Sequence, residues 1–504
     1  MTPLMPMEWM APLMFGGLVV FMLVGYPVAF SLAALGLVSG FASIELGYFE
    51  PIYMSNLPLR VFGILSNDLL LSIPFFTFMG AILERCGLAE DLLEGTGQLF
   101  GAVPGGLAYA VIIVGAILGA ITGTVAASVI AMGVISLPIM MRYGYDMKTA
   151  TGVIAASGTI TQLIPPSLVL VILADQLGRS VGDMYAGAIG PSIVQTVLFM
   201  LYIFALSIFK PHWVPALPPE ARTVRGWPLI RRVLWGMVPS IVLIFLVLGS
   251  IFMGLATPTE AGAMGAVGAV GLAAMHRRLT WSLMQQGMAS TMRITAMVIF
   301  ILIGATVFSL VFQGVDGGRW IEHMLSSLPG GQVGFLIAVN LFVFFLAFFL
   351  DFFEIAFIVV PLLAPVAQKM GIDLVWFGVL LCVTMQTSFM HPPFGFALFY
   401  LRGIASKEVK SSDIYWGALP WVGLQLVMAI VVIVWPGLVT EFLAKPNGVD
   451  PSKVEIQLEA PQDENTPVEN DNPFAVPQDG SEKKAEPEEE DPAAAIARAL
   501  KGGR

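Results

Sequence analysis

A first group of polar residues interrupts an apolar segment in the first half of this 504-residue chain. Thr122, Gly123 and Thr124 follow Gly119 within a run that is otherwise long and apolar, and Ser128 stands four residues further on. A backbone that turns inside a bilayer leaves carbonyl groups unpaired unless protein, water or an ion satisfies them. Hydroxyl and carbonyl oxygens are ligands of hard cations, so the group predicts a cation site. A close small-residue contact between helices is the structural alternative, and it suits Gly119 and Gly123.

A pair of acids interrupts the apolar segment 341–360 in the second half of the chain. A carboxylate near the middle of such a segment costs about 3 kcal/mol on insertion scales. Asp351 and Glu354 are three residues apart and would share one face of a helix. Cation binding, proton exchange or pairing with Arg or Lys would each account for them, and so would access to a water-filled vestibule.

A double proline follows each of these groups, and polar residues precede it both times. Proline lacks an N–H and disfavours helix in the residue before it, so each span should break there. Exposed half-helix ends bind ions and anionic groups. A purely structural kink is the alternative, but its occurrence at two matching positions argues against it. The first cluster comprises Gly158, Thr159, Thr161, Gln162, Pro165 and Pro166, and the second comprises Gln386, Thr387, Ser388, His391 and Pro392.

The two groups and the two breaks belong to halves of similar sequence. When the chain is aligned with itself so that Arg142–Asp146 falls on Lys369–Asp373, Thr124 falls on Asp351. The same alignment, here called the repeat alignment, superimposes the two double prolines. The chain is therefore predicted to consist of a first repeat (1–209), a basic cytoplasmic linker (210–232), a second repeat (233–443) and an acidic tail (444–504).

Basic loops orient the repeats, because cytoplasmic loops carry an excess of Lys and Arg. The linker is basic, and so are the loops at 276–278 and 402–410. With these loops inside, the segment of about 331–370 must begin and end outside, whereas about 105–141 begins and ends inside. Each is predicted to be a re-entrant helical hairpin, followed by a broken helix at about 149–175 or 374–400. The predicted fold is an all-α polytopic membrane protein with two inverted repeats, as in many secondary transporters.

Composition excludes a soluble globular protein. The chain is 57% hydrophobic and 12% charged, with a mean hydropathy of +0.83, whereas soluble proteins carry roughly 25% charged residues. Cys86 and Cys382 form no CxxC motif and the four histidines are scattered, so no transition-metal site is expected. From Lys445 onward, 14 acidic and 7 basic residues predict a disordered tail. The short basic loops do not form a nucleic-acid-binding surface.

The chain resembles the large membrane subunit of TRAP (tripartite ATP-independent periplasmic) transporters, the DctM-like family of the ion-transporter superfamily. The resemblance covers about Met10–Leu443. The segments that carry it are Pro104–Gly106, Gly119–Ser128, Arg142–Asp146, Ala155–Ser167, Phe349–Asp351 and Pro392–Gly395.

The resemblance implies an elevator-type mechanism in the bacterial inner membrane, with sodium as the coupling ion and no other cofactor. It also implies a small four-helix membrane subunit, a periplasmic substrate-binding protein, surrounding lipid, and an organic acid as the solute. The predicted sodium-binding residues are Thr122, Gly123, Thr124, Gly158, Thr159, Thr161, Asp351, Gln386, Thr387 and Ser388. The predicted solute-binding residues are Ser128, Gln162, Pro165, Pro166, Glu354, His391 and Pro392.

Two positions depart from the family pattern. Phe352, Phe353 and Glu354 follow the hairpin aspartate, where small residues are frequent, and His391 stands where threonine is frequent. The departures leave the solute open, and with it the question whether protons contribute to coupling. A stand-alone sodium- or proton-coupled organic anion transporter is one alternative. An intramembrane enzyme is another, although GxGD and GxSxG motifs are missing.

Overall fold

The computed structural model of the chain describes residues 6–122, 125–222, 226–326, 329–392 and 395–443. The regular secondary structure in these ranges is helical throughout, which confirms the predicted all-α fold. Several predictions fall outside the described residues: those for Gly123, Thr124, the side chain of Thr122 and the acidic tail.

Twenty helices span the described ranges. Those of the first half are α1 Met10–Val24, α2 Val28–Glu45, α3 Leu57–Leu65, α4 Ser72–Arg85, α5 Leu88–Phe100, α6 Gly106–Thr122, α7 Val125–Arg142, α8 Met147–Thr159, α9 Leu168–Leu177 and α10 Val181–Phe209. Those of the second half are α11 Trp227–Phe252, α12 Pro258–Met275, α13 Trp281–Gly314, α14 Gly317–Ser326, α15 Gly331–Leu346, α16 Phe352–Lys369, α17 Leu374–Met385, α18 Phe396–Ile404, α19 Ser411–Val434 and α20 Gly437–Thr440. A π-helical turn at Ile355–Val359 lies within α16.

The long helices have the length and surface of membrane spans. Seven described helices are long and apolar enough to cross a bilayer, and an eighth crossing results if the bent pair Pro51–Leu65 and Asp68–Arg85 forms one span. Large apolar side chains project from them, such as Phe209 (81% exposed), Phe245 (72%) and Val434 (76%). Such surfaces suit lipid, where a helix satisfies its backbone groups without water. The chain is thus a multi-pass membrane protein.

The helices of the two halves begin at matching positions. The repeat alignment also brings the start of α7 to that of α16, and the start of α8 to that of α17. Asp146 and Asp373, which it superimposes, are both N-caps, and each accepts a hydrogen bond from the backbone N–H three residues later (2.9 and 2.8 Å). Each follows a left-handed glycine, Gly144 or Gly371, that ends the preceding helix. The matched motifs therefore encode equivalent helix boundaries, whereas the inverted orientation in the membrane stays a prediction.

Helix is interrupted at Pro165 and Pro166 in the first half and at Pro392 in the second half. After α8 come a 3-10 turn at Ile160–Gln162 and residues 163–167, together called the first break, and α9 follows. After α17 come a 3-10 turn at Gln386–Phe389 and residues 390–392, together called the second break, and α18 begins at Phe396. Pro165 and Pro392 offer no N–H to the carbonyls of the residues four positions earlier. The last carbonyls of α8 and α17 accept hydroxyl hydrogens from the threonines that follow them. Both half-helices are deeply buried, so these carbonyls end inside the protein.

Candidate ion and solute site

The first helix pair, α6 and α7, packs on α8 through glycines. A Cβ atom added to Gly119 would lie 2.7 Å from Cα of Thr161, and one added to Gly115 would lie 2.7 Å from Cβ of Ser157. These separations are too short for any side chain, so α6 approaches the broken helix at backbone distance. Gly119 thus makes a small-residue helix contact, the structural alternative to a ligand.

The hydroxyl groups at the first break have their hydrogens directed to the backbone. Thr159 Oγ1 donates to the carbonyl oxygen of Ala156 (2.9 Å), and Thr161 Oγ1 donates to that of Gly158 (2.8 Å). Both threonines are fully buried. Because a hydroxyl oxygen has two acceptor lone pairs beside its one hydrogen, these oxygens retain capacity for a cation. Ser128, on α7, is also fully buried.

The second break carries an equivalent set of groups. Thr387 Oγ1 donates to the carbonyl of Thr384 (2.7 Å), and the Ser388 hydroxyl, 6% exposed, has no hydrogen-bond partner within the described ranges. Thr384 donates its own hydroxyl hydrogen to Oδ1 of Asn340 on α15. Thr384 is superimposed on Ser157 by the repeat alignment, so each broken helix touches the hairpin segment of its own half at the same place.

The two acids of the second half form a capping box at the start of α16. Asp351 Oδ1 accepts from the N–H of Glu354, and Glu354 Oε2 accepts from the N–H of Asp351, both at 3.0 Å. Negative charge at a helix N-terminus is stabilised by the helix dipole. As far as the described residues show, neither carboxylate forms a hydrogen bond or ion pair with a residue of either break. The acids therefore have a local role in starting α16, and the remaining carboxylate oxygens are available for a ligand.

His391 occupies the second break between two aromatic rings of the α15 segment. Its ring stacks on Phe348, with centroids 4.1 Å apart and planes at 20°, and meets Phe344 edge-on at 4.5 Å. The side chain is 2% exposed, and neither ring nitrogen has a hydrogen-bond partner of good geometry among the described residues. A buried imidazole without a well-formed hydrogen bond is expensive, which suits a site that a polar ligand completes. Pro392, next to it, is partly buried.

The two breaks lie against each other. Thr159 Oγ1 is 3.6 Å from Sδ of Met390, and Cys382 Sγ lies 3.6 Å from the carbonyl oxygen of Gln162. Gln162 is 4% exposed, and its Oε1 lacks a donor in the described part of the chain. Pro165 and Pro166 are buried beside it and are joined by a cis peptide bond. The ends of the two broken helices thus meet at Thr159 and Gln162, whereas Asp351 and Glu354 show no hydrogen bond to either residue in the described part of the chain.

Sequence reasoning missed two buried glutamines on neighbouring helices. Gln195 on α10 donates from Nε2 to Oε1 of Gln386 (2.9 Å), and Gln425 on α19 donates from Nε2 to Oγ1 of Thr159 (3.0 Å). Both are fully buried. A lone amide within a long apolar span is costly in a membrane, and that cost was a usable signal.

An apolar groove of about 790 Å³ lies elsewhere, between α4, α12 and α13. Its walls carry Phe75, Val267 and Met292, with Thr291 and Thr295 as the polar members. A groove without a charged group suits apolar chains rather than an anion. It is therefore separate from the polar site at the breaks.

The family model and the similar proteins point to the same family. The family model described as "Tripartite ATP-independent periplasmic transporter, DctM component" matches residues 15–438. The chain is 30% identical over 401 residues to the C4-dicarboxylate TRAP transporter large permease protein DctM of Pseudomonas aeruginosa, covering 79% of this chain and 91% of that protein. It is 28% identical over 430 residues to the isethionate TRAP transporter permease protein DctMQ of Oleidesulfovibrio alaskensis, covering 85% of this chain and 65% of that protein.

A solved structure shares the fold. The crystal structure of the Alcanivorax borkumensis YdaH transporter matches with a TM-score of 0.55 and 15% sequence identity, covering 78% of this chain and 89% of that one. At this identity the likeness concerns the fold alone.

Proposed function

The chain belongs to the DctM component family of the tripartite ATP-independent periplasmic transporters, and from this membership we propose that it imports an organic acid across the inner membrane by sodium coupling. It is a permease rather than an enzyme, as its relatives are. The solute class is proposed as carboxylate or sulfonate, because the relatives named above transport C4-dicarboxylates and isethionate.

The geometry of the breaks carries the proposal for sodium. α8 and α17 both end inside the protein, where the negative end of a helix dipole favours a cation. The hydroxyl hydrogens of Thr159, Thr161 and Thr387 are used on backbone carbonyls, so their oxygens present lone pairs. Hydroxyl, amide and carbonyl oxygens of this kind suit a hard cation. Each half would hold one such site, completed by residues of its hairpin turn, Thr122–Thr124 in one half and Asp351 in the other.

The helices that restart after the breaks support the proposal for an anionic solute. α9 and α18 begin at the breaks with their N-termini, the positive ends of their dipoles. An anionic head group near Pro166, His391 and Pro392 would be stabilised there without a fixed positive charge. Ser128, Gln162 and Glu354 would contact the remainder of the solute.

An elevator mechanism is proposed from the packing. The broken helices and the helix pairs next to them are joined by backbone-distance contacts such as Gly119 to Thr161, so they can move as one body. The outer helices α2, α4, α12 and α13 would form the fixed scaffold, with lipid around them. Transport would carry the site across the membrane as a unit, since helix packing resists gradual deformation.

Two protein partners are proposed from the family description. A periplasmic substrate-binding protein would deliver the solute, and a small four-helix membrane subunit would complete the complex. The matching of the chain to the DctM component of a tripartite system is the support for both.

Uptake by proteoliposomes that contain the full complex tests the proposal. Radiolabelled succinate, pyruvate and isethionate are offered with an inward sodium gradient, and with potassium in place of sodium. We expect uptake of at least one acid only with sodium, and only when the binding protein is present. Equal uptake in potassium would contradict sodium coupling, and equal uptake without the binding protein would favour a stand-alone transporter.

A further inference from the structure

Two buried amides link each half of the chain to the broken helix of the other half. Gln195, on the last span of the first half, donates to Oε1 of Gln386 in the second break. Gln425, on the last span of the second half, donates to Oγ1 of Thr159 beside the first break. All four residues are fully buried. Hydrogen bonds in such surroundings are strong, and their loss leaves unpaired polar groups.

The two contacts are equivalent under the internal repeat. The repeat alignment places Thr159 on Gln386. When the start of α10 is aligned with that of α19, Gln195 falls on Gln425. Each amide therefore reaches the same position of the opposite half, and the two halves hold each other reciprocally. A structural accident would not give the same pairing twice.

The amide contacts also bear on which atoms face the breaks. Gln195 and Gln386 share one hydrogen bond, and Oε1 of Gln195 and Nε2 of Gln386 have no partner within the ranges described. The oxygen and nitrogen of an amide are assigned by the hydrogen-bond network, so the reverse orientation of the pair is equally consistent with the geometry. In that orientation Gln386 donates to Gln195 and frees its own Oε1, the atom that a cation requires. Gln195 thus governs whether Gln386 presents an oxygen.

Gln425 lies between the end of α8, next to the first break, and the second break. Its Nε2 lies 3.0 Å from Oγ1 of Thr159 and 3.8 Å from Sδ of Met390, a residue of the second break. Its Oε1 has no donor among the described residues. A shift of Thr159 on cation binding would therefore be passed to the second break through this side chain.

We propose that Gln195 and Gln425 are positioning residues that fix the ends of the opposite half's broken helix and couple the cation sites of the two breaks. The inference rests on the proposed function, because it takes the breaks to be the sodium sites. It goes beyond that function by assigning the coupling to two residues outside the predicted ligand set.

Sodium titration of matched variants tests the inference. Q195M and Q425M keep side-chain length and remove the hydrogen bond, whereas T196V loses only a bond within α10. We expect Q195M and Q425M each to raise the half-saturating sodium concentration for uptake about fivefold or more, with solute KM at saturating sodium little changed. T196V should match the parent. The double variant should have a half-saturating sodium concentration no higher than that of the more impaired single variant, since either loss uncouples both breaks.

A second measurement separates the inference from the function on which it rests. Sodium should raise the thermal unfolding midpoint of the purified parent protein, and the shift should shrink in Q195M and Q425M. Parent uptake that ignores sodium would overturn the proposed function and the inference together. A sodium-dependent parent whose Q195M and Q425M forms keep the parental half-saturation would overturn the inference alone. If Q195M does not fold, Q195N replaces it, because its shorter amide cannot reach Gln386, and the same two outcomes decide.

Discussion

Asp351 combines a capping role with a proposed role in cation binding. Its carboxylate is part of the capping box that starts α16, and this local role explains why an acid is tolerated beside an apolar segment. The sequence predicted the cost of the charge but not the cap, because the cap depends on the helix beginning at that residue. The cap and the charge can be separated by substitution, because asparagine caps a helix almost as well as aspartate.

For Asp351→Asn we expect sodium-driven uptake to fall about tenfold or more, because the charge that would bind the cation is lost. The unfolding free energy should change by less than about 0.5 kcal/mol, whereas Asp351→Ala should cost about 1 kcal/mol because it removes the cap. Asp373→Asn is the matched control, since it makes the same change at an exposed capping aspartate outside the predicted ligand set. Uptake and thermal unfolding of purified protein are the measurements. Normal sodium-dependent uptake by D351N would remove Asp351 from the cation site.

Aromatic packing, rather than well-formed hydrogen bonds, positions the His391 side chain. Stacking on Phe348 and the edge contact with Phe344 fix the ring in the second break, and neither nitrogen has a partner of good geometry among the described residues. The sequence indicated only that a histidine replaces a frequent threonine beside a double proline. The aromatic partners lie far earlier in the chain, so their contact could not be inferred from local pattern.

For His391→Phe we expect the solute KM to rise about tenfold, because a phenyl ring preserves the stacking but has no nitrogen for the solute. The thermal midpoint should stay close to that of the parent, since aromatic packing is retained. Phe348→Leu is the comparison, because it weakens the stack while leaving the imidazole in place. An unchanged KM in H391F would show that the imidazole does not contact the solute.

At the scale of elements, glycines decide how closely the helices approach. Gly119 and Gly115 bring α6 onto the broken helix at backbone distance, and this contact fixes one wall of the first break. From the sequence, this segment was predicted to form a cation-binding turn or, alternatively, a small-residue contact between helices. The geometry assigns the contact to Gly119, while Gly123 and Thr124 lie outside the described residues.

For Gly119→Ala we expect a loss of about 1–3 kcal/mol in stability and a marked fall in uptake, because the new methyl group meets the backbone of Thr161. Gly423→Ala is the matched control: it lies in α19 with no atom within 4 Å of an added Cβ, and it should be neutral or slightly stabilising. Thermal unfolding in detergent and uptake in proteoliposomes are measured for both variants. Equal behaviour of the two would mean that the close approach of α6 and α8 is not required.

At the scale of the molecule, the inverted repeat depends on the orientation of the chain in the membrane. The helix bounds of the two halves agree, yet inversion depends on which loops face the cytoplasm. The positively charged loops predict the orientation, because loops rich in Lys and Arg are retained on the cytoplasmic side. Both native cysteines are buried, so accessibility labelling can use the chain with little background.

We expect Arg222→Cys to react with a membrane-impermeant thiol reagent only from the cytoplasmic side, because the linker is basic. Asp479→Cys in the acidic tail should react only from the periplasmic side, as the last span is predicted to run outward. Labelling of intact cells reports exposure on the periplasmic side, and labelling of inverted vesicles reports exposure on the cytoplasmic side. Reaction of both positions from one side would disprove the predicted topology, although the helix bounds would be unaffected.

The sequence by itself determined the membrane environment, the two similar halves and the positions of both breaks. These depend on properties that are local along the chain: hydropathy, proline chemistry, and capping residues such as Asp146 and Asp373. The tertiary structure alone decided that the breaks lie against each other, that His391 sits between Phe344 and Phe348, and that Gln195 and Gln425 cross between the halves. These contacts join residues far apart in sequence, and their existence depends on how the helices pack, which no local pattern specifies.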